Sequence, residues 1–152
     1  PDIGQQPVAR LDAAAALPSF KDDPRTVDAL AASLRSDPFW AVRRSALQAL
    51  ARVGAKDAAS VFKQACEDPD SRVRAAALAA LGDLKDRALL GFFEARFRED
   101  ASYRVQAEAL TAIGKTGDPA AAPFLRRAAA LPSYRHMVRR AAEAALKLVG
   151  GK

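Results

Sequence analysis

The stretch DPFWAVRRSALQAL, residues 37–50, contains a turn signal, two bulky aromatic side chains, a Val-Arg pair and a helix pattern rich in Ala and Leu. An Asp-Pro dipeptide is typical of a turn. Val42, Ala46 and Leu50 recur every four residues, which places them on one face of a helix. The stretch therefore predicts a turn followed by an amphipathic helix, and it raises the question of whether this is a binding site or a structural module.

The same pattern recurs three more times along the chain. Residues 68–81 read DPDSRVRAAALAAL, residues 100–113 read DASYRVQAEALTAI, and residues 133–146 read SYRHMVRRAAEAAL. The aligned valines, separated by 31, 32 and 33 residues, are Val42, Val73, Val105 and Val138. A period in this range is typical of an α-solenoid, because one helix pair cannot bury its apolar face without its neighbours. The opening stretch is therefore interpreted as a repeated structural module.

Each repeat contains two helix patterns separated by a short turn. The first helix begins near an Asp that can accept from free helix N–H groups, and Asp57 and Asp118 are candidates. The second helix of the first full repeat ends at Gly54, as expected for a C-cap glycine. The glycines predicted to end the later second helices in the same way are Gly82, Gly114 and Gly150.

The predicted fold class is all-α, a right-handed α-solenoid in a single domain over residues 1–152. It contains about four and a half helix pairs. The predicted boundaries are 8–17 for the half repeat and 23–54, 57–82, 86–114 and 118–150 for the full ones. Abundant Ala favours helix and lets neighbouring helices approach closely.

Composition excludes several classes of protein. Half of the 152 residues are hydrophobic, which suffices for a packed core. The apolar runs are far shorter than the ~20 residues that span a bilayer, and no signal-peptide pattern opens the chain, so we expect no membrane insertion. The chain begins at Pro1 and enters a helix pattern almost at once, which favours an excised or processed part of a longer protein. The cellular compartment stays undetermined.

Few residues offer catalytic or metal-binding chemistry. Cys66 is the only cysteine and follows Val61 and Phe62 on a helix pattern, which favours a buried small hydrophobe over a nucleophile. His136 is the only histidine, and it cannot form a His-based zinc site alone. Its position in an arginine-rich helix start favours a solvated or capping role. The sequence has no Gly-rich phosphate loop and no nucleophile elbow. We therefore expect no catalytic residues, no metal and no cofactor.

The spacing of Asp, Val and Arg resembles that of the HEAT repeat. The turn Asp is followed five positions later by Val and six positions later by Arg, as in Asp37, Val42 and Arg43. The resemblance implies a ladder of charge-assisted hydrogen bonds between successive repeats that sets their register. The expected ladder residues are Asp37, Arg43, Asp68, Arg74, Asp100 and Arg139. Gln106 replaces the Arg of the third repeat and Ser133 replaces the Asp of the fourth, which weakens the ladder prediction there.

A narrower resemblance involves Phe39 and Trp40, just ahead of the Val-Arg pair. The pattern over residues 8–54 resembles the helical C-terminal region of aminopeptidase-N-type zinc metallopeptidases and of their non-peptidase relatives in transcription initiation. In that family the activity lies in a separate domain with an H-E-x-x-H motif and a further Glu. No position of this chain matches that motif. The resemblance therefore implies a non-catalytic tail, and leaves open whether the parent protein is a metalloaminopeptidase.

Charge is concentrated at the end of the chain. The net charge is +6, and residues 119–152 contain seven basic residues and one acidic residue, which also gives +6. A basic stripe on a solenoid can bind nucleic acid, with tyrosines such as Tyr134 available for stacking. A solvated face, or one that docks on an acidic protein, is the favoured alternative. The candidate interaction surface consists of Arg72, Arg104, Arg135, Arg140, Trp40 and Tyr103.

Phe39 and Trp40 allow two interpretations. They could anchor a partner, since aromatic side chains dominate interface energies. They could also fill the gap between helix pairs against Leu11 or Leu30, which we favour because an exposed pair would need a partner. The leading functional prediction is a non-catalytic protein-binding scaffold, the C-terminal domain of an aminopeptidase-N-like zinc metallopeptidase, packed on other domains of its parent chain or on a partner. The alternatives are a nucleic-acid-binding module, and a free-standing scaffold or HEAT-like lyase-type auxiliary protein.

Overall fold

The computed structural model describes residues 7–20, 23–54 and 58–150 and contains nine α-helices and no strand within those ranges. The helices are α1 Pro7–Ala16, α2 Pro24–Ser36, α3 Trp40–Val53, α4 Ala58–Ala65, α5 Ser71–Asp83, α6 Leu90–Glu99, α7 Tyr103–Thr116, α8 Ala122–Ala129 and α9 Met137–Gly150. Short 3₁₀ segments cover Leu17–Phe20, Arg87–Leu89, Pro119–Ala121 and Tyr134–His136.

The chain divides into two compact units, residues 1–77 and residues 78–152, with the boundary inside α5. In the N-terminal unit α2 packs on α3, α1 packs on α3, and α4 contacts both α2 and α3. In the C-terminal unit α6 packs on α7, α8 packs on α9, and α7 packs on α9. Each unit is therefore built from pairs of consecutive helices that also contact a helix of the next pair. The assignment of all repeats to one domain stays a prediction.

The aligned valines form the centre of the packing in each unit. Val42 and Val73 in the N-terminal unit, and Val105 and Val138 in the C-terminal unit, are each at most 1% exposed. Fully burying a side chain of this kind contributes roughly 1.5–3 kcal/mol relative to leaving it exposed. The repeat pattern in the sequence is thus a pattern of buried apolar side chains.

Aspartates cap several helix starts. Asp118 accepts a hydrogen bond from the Ala120 N–H at 3.0 Å, and Asp86 accepts one from the Ala88 N–H at 2.9 Å. Asp23 does the same for the N–H of Arg25 at 2.9 Å. Such caps satisfy N–H groups that have no partner inside the helix. The predicted cap Asp57 lies outside the described residues.

Two of the four glycines predicted to end helices have a different role. Gly54 has φ 67° and caps α3, as expected. Gly82 and Gly114 lie inside α5 and α7, and α7 continues to Thr116, with Gly117 at φ 63° as its C-cap. The prediction that Gly82 and Gly114 are stops was therefore wrong.

Gly82 and Gly114 each lie at a close approach between two helices. A Cβ atom on Gly82 would be 2.9 Å from the Cβ atom of Ala112. A Cβ atom on Gly114 would be 2.7 Å from the Cα atom of Ala145, so it would collide with the α9 backbone. The absence of a side chain permits the α7–α9 contact.

None of the helices within residues 7–20, 23–54 and 58–150 has the length and apolarity needed to cross a lipid bilayer.

Replacing Gly114 by Ala should destabilise the C-terminal unit by about 1–3 kcal/mol, the usual cost of overpacking. The matched control is Gly91→Ala, since Gly91 lies in α6 with no atom within 4 Å of an added Cβ. That control should be neutral or more stable by up to about 1 kcal/mol, because Ala favours helix. Urea unfolding followed by far-UV circular dichroism measures both changes. Equal effects of the two substitutions would contradict the close-packing role of Gly114.

Candidate protein-interaction surface

The guanidinium of Arg43 makes two kinds of contact at once. Its Nη1 donates to the backbone carbonyl of Asp37 at 2.9 Å, in the turn of its own repeat. Its Nε and Nη2 donate to the two carboxylate oxygens of Asp68 at 2.7 and 2.8 Å, in the turn of the following repeat. The pair is nearly buried, with 11% and 8% of the two side chains exposed. One side chain therefore fixes its own turn and joins it to the next.

Arg10 makes an equivalent contact that was not predicted from the sequence. Its Nε donates to Asp37 Oδ2 at 2.8 Å, and its Nη2 donates to Oδ1 at 3.3 Å. Arg10 precedes Asp37 by 27 residues, close to the 25 residues between Arg43 and Asp68, and this spacing was the available signal. Asp37 also accepts from the Phe39 N–H at 2.9 Å, so its carboxylate shapes the turn as well.

The Arg-to-turn contact recurs unchanged in the second repeat and in altered form in the third. Arg74 Nη1 donates to the carbonyl of Asp68 at 2.8 Å. In the third repeat, the side-chain amide of Gln106 donates to the carbonyl of Asp100 at 2.7 Å. Gln106 therefore keeps the contact within its own turn, although it lacks a guanidinium for the contact to a following repeat.

The fourth repeat closes its turn differently. Ser133 Oγ accepts from the Val138 N–H at 3.1 Å, in place of the missing Asp. Arg139 Nε donates to the carbonyl of Ala129 at 3.3 Å, at the end of α8. Arg139 therefore ties α9 to α8 within its own helix pair.

Trp40 lies in a cluster of arginines in the N-terminal unit. The Arg72 Cζ atom is 3.4 Å from the centroid of the Trp40 ring, and the Arg44 Cζ atom is 5.0 Å from it. Phe39 meets the same ring edge-on at 5.7 Å between centroids. Both aromatic residues are half-buried. A cation over an aromatic face contributes roughly 0.5–2 kcal/mol. Trp40 and Arg72, both assigned to a candidate interaction surface, thus contact each other.

Asp70 orients Arg72 on the indole ring. Arg72 Nη2 donates to Asp70 Oδ2 at 2.6 Å, and Arg72 Nε donates to Oδ1 at 2.9 Å. The side-chain hydrogen bond from Arg72 is the main reason that the pKa of Asp70 is lowered to about 2. The carboxylate is thus ionised across the physiological range.

The other candidate surface residues lie on the C-terminal unit. Tyr103 is 42% exposed at the start of α7, beside the exposed Arg104. Arg135 lies in the 3₁₀ segment before α9 at φ 50°, with its Cζ atom 5.6 Å from the ring centroid of Tyr134. Arg140 is exposed on α9. Arg104, Arg135 and Arg140 form no ion pair with any residue in the described ranges.

Cys66 is buried and His136 is exposed. Cys66 is 2% exposed in the core of the N-terminal unit. His136 is exposed in the C-terminal unit, at φ 56°. Over residues 7–20, 23–54 and 58–150, no cluster of three or more His, Cys, Asp or Glu side chains could hold a metal ion.

Replacing Arg43 by Gln should preserve the turn contact, as Gln106 does, while leaving the nearly buried Asp68 without its guanidinium. We expect a loss of about 1.5–3 kcal/mol, the range for hydrogen bonds to charged groups. The comparison variant is Gln106→Ala, which removes only a turn contact and should cost about 0.5–1.5 kcal/mol. Chemical unfolding followed by circular dichroism compares them, and no measurable loss from Arg43→Gln would show that the contact to Asp68 adds nothing.

The Asp70 carboxylate should give a pH-dependent contribution to stability. Its folded pKa of about 2 lies below the ordinary value of ~3.9, so the contribution is fully present above pH ~4 and is lost as the pH falls towards 2. The test is the difference in unfolding free energy between wild type and Asp70→Asn from pH 6 to pH 2. The wild type should be the more stable at pH 6, and the difference should shrink below pH ~4. A difference independent of pH would contradict this role.

The sequence matches a model of HEAT repeats over residues 4–82, 27–109 and 63–147. No curated protein matches it. Human deoxyhypusine hydroxylase, solved in complex with glycerol, is similar in structure with a TM-score of 0.70 and 22% identity, covering 84% of this chain and 44% of that chain. At this identity the likeness shows the fold alone.

A second similar structure comes from the complex of CpcE and CpcF of phycocyanin lyase from Nostoc sp. PCC7120. Its TM-score is 0.65 and its identity is 27%, covering 97% of this chain and 62% of that chain. This chain therefore spans less than two thirds of the length of either solved chain. The prediction of an all-α fold of HEAT-like helix pairs is confirmed. The family matches together extend from residue 4 to residue 147, so the chain belongs to the HEAT-repeat family.

Proposed function

We propose that the chain is a non-catalytic scaffold that binds an acidic protein partner through its last repeat. The observation that carries the proposal is a mixture of unpaired basic and exposed apolar side chains in that repeat. Leu131 is 49% exposed and Leu148 is 57% exposed. The basic residues there that form no ion pair with any described residue are Arg126, Arg127, Arg135, Arg140 and Lys147.

The mixture favours protein over nucleic acid as the partner. Contacts to a phosphate backbone need cations and hydrogen-bond donors, and an exposed Leu adds nothing to them. Protein interfaces combine an apolar centre with a polar rim. The similar phycocyanin lyase structure is itself a complex of two proteins, which supports the same class of function and the lyase-type auxiliary alternative.

The narrower proposal is that the scaffold is the C-terminal region of an aminopeptidase-N-type metallopeptidase. It rests on the Phe39–Trp40 motif, and neither the matched family nor the two similar structures adds support. Immunoblotting of the protein in its source tests it. A band near the 16.2 kDa of this chain, with no larger band directly after synthesis in a pulse-chase, would contradict a larger parent.

Nucleic-acid binding is the second candidate function. The observation in its favour is the exposed Tyr134, 63% accessible, with its ring beside the unpaired Arg135. Such a pair could stack on a base while neighbouring cations contact phosphates.

Fluorescence anisotropy across a salt series separates the two candidates. The two probes are a labelled peptide of alternating Glu and Gly and a labelled mixed-sequence DNA duplex. We expect the chain to bind the peptide, and the triple variant Arg126→Ala, Arg135→Ala, Arg140→Ala to weaken this at least about tenfold. The charge-matched control changes three exposed arginines of other repeats, Arg35, Arg52 and Arg87, to Ala.

Three results would decide against the proposal. Binding of the duplex alone, with a steep salt dependence, would replace it by nucleic-acid binding. Equal weakening by the two triple variants would show a response to net charge without a localised surface. No binding of either probe at low salt would remove the last repeat as an interaction surface.

A further inference from the structure

A groove of about 240 Å³ opens between α6 and α8 in the C-terminal unit. These two helices are the first helices of the third and fourth repeats. Its lining residues are Phe97, Arg98, Phe124, Arg127, Ala128 and Leu131.

The floor of the groove is apolar. The rings of Phe97 and Phe124 meet edge-to-face with 5.4 Å between their centroids, and both residues are 7% exposed. Ala128 completes the floor at 3% exposed. An apolar cavity of roughly 150 Å³ already holds a benzene ring. The groove therefore has room for one aromatic or branched side chain.

The rim of the groove is half apolar and half cationic. Leu131 is 49% exposed at one edge. Arg98 packs its Cζ atom 5.0 Å from the Phe124 ring centroid and donates to Glu94 at 2.7 Å. Arg127 is exposed and forms no ion pair with any residue that the structure describes. No acidic side chain lines the groove, so its uncompensated charge is positive.

The N-terminal unit contains an equivalent groove with different chemistry. It lies between α2 and α4, has a volume of about 210 Å³, and is lined by Leu34, Arg35, Val61, Gln64, Ala65, Glu67, Asp68 and Pro69. Six lining residues of the first groove have a counterpart in the second at one constant spacing, 63 residues further along the chain. The pairs of positions are 34 and 97, 35 and 98, 61 and 124, 64 and 127, 65 and 128, and 68 and 131. The groove itself is thus a recurring product of the repeat packing.

The two grooves differ at four of the six aligned positions, and Leu34 of the first groove corresponds to Phe97 of the second. Val61 of the first groove corresponds to Phe124, Gln64 to Arg127 and Asp68 to Leu131. In the first groove, Asp68 is engaged by Arg43. In the second, an apolar side chain stands exposed at that position, and a cation replaces a neutral amide. The repeat packing requires neither change, because the first groove forms without them.

We propose that the α6–α8 groove binds an acidic segment of a partner protein that inserts one aromatic or branched apolar side chain between Phe97, Phe124 and Leu131. A carboxylate next to that side chain pairs with Arg127. This inference rests on the proposed protein-binding function and names the position and chemistry of the contact.

Charge complementarity selects the occupant. Residues 119–152 contain seven basic residues and one acidic residue, so an acidic segment is attracted and a basic one repelled. A phosphate group could pair with Arg127 but would leave the aromatic floor in water. A second copy of this chain would bring its own basic surface against this one. An acidic peptide with an apolar anchor satisfies both the floor and the rim.

Fluorescence anisotropy with the full chain tests the inference. The probe is a labelled twelve-residue peptide of Glu, Asp and Gly with one central Phe. The first comparison peptide replaces the Phe by Ala, and the second replaces the acidic residues by Lys. We expect the Phe peptide to bind at least about tenfold more tightly than the Ala peptide. The Lys peptide should not bind.

The decisive variant transfers the chemistry of the first groove into the second, as Arg127→Gln with Leu131→Asp. Both residues are exposed, and the new residues occupy the equivalent positions of the first groove, so folding should be retained. The control, Arg52→Gln with Leu84→Asp, makes the same charge changes at exposed positions outside the groove, since Arg52 is exposed on α3 and Leu84 is 50% exposed after α5. The groove variant should lose at least about tenfold in affinity for the Phe peptide, and the control should lose less than about threefold.

The outcomes distinguish this inference from the broader proposal. Equal binding of the Phe and Ala peptides, both weakened by Arg126→Ala, Arg135→Ala and Arg140→Ala, would reject the groove and retain an acidic partner. Equal loss in the groove variant and its control would also reject the groove. If no peptide binds and the DNA duplex does, both proposals fail. A Phe preference that the groove variant alone removes supports both.

Discussion

The structure depends on an arginine that fixes one turn and reaches the next. Arg43 donates to the carbonyl of Asp37 and pairs with Asp68 in the following turn. Arg10 extends the same linkage one step towards the N-terminus through Asp37. Because both partners are nearly buried, an unpaired member would keep its desolvation cost without compensation. A repeat whose arginine or aspartate has lost its partner in the neighbouring repeat is therefore less stable. This dependence couples the stabilities of neighbouring repeats.

The C-terminal unit relies more on close contact between helices. Gln106 holds its own turn, and Ser133 closes the turn of the last repeat without a carboxylate. In this unit Gly82 lies against Ala112 and Gly114 lies against Ala145, with no room for a further carbon atom. Close approach increases dispersion contacts along the whole length of the paired helices. Altered turn contacts and tight apolar contacts thus occur in the same part of the chain.

The fold was largely predictable from the sequence because the buried valines recur at a helical-repeat period. The roles of Gly82 and Gly114 were not, since a glycine near the end of a helix pattern is usually a C-cap. Only the position of the facing helix reveals the close approach. The stacking of Arg72 on Trp40 joins residues of different repeats, which spacing within one repeat cannot show. The α6–α8 groove likewise escaped prediction, because its lining comes from two separate helices.

The position of Trp40 in the N-terminal unit has a consequence for spectroscopy. Trp40 is the only indole of the chain and Cys66 is its only thiol, and both belong to the N-terminal unit. Tryptophan emission and thiol labelling therefore report on residues 1–77, whereas helical ellipticity reports on the whole chain. The N-terminal unit thus carries one optical reporter, Trp40, and one chemical reporter, Cys66, whereas the C-terminal unit has no tryptophan and no cysteine. Comparing these signals during denaturation distinguishes stepwise from concerted loss of structure without any introduced label.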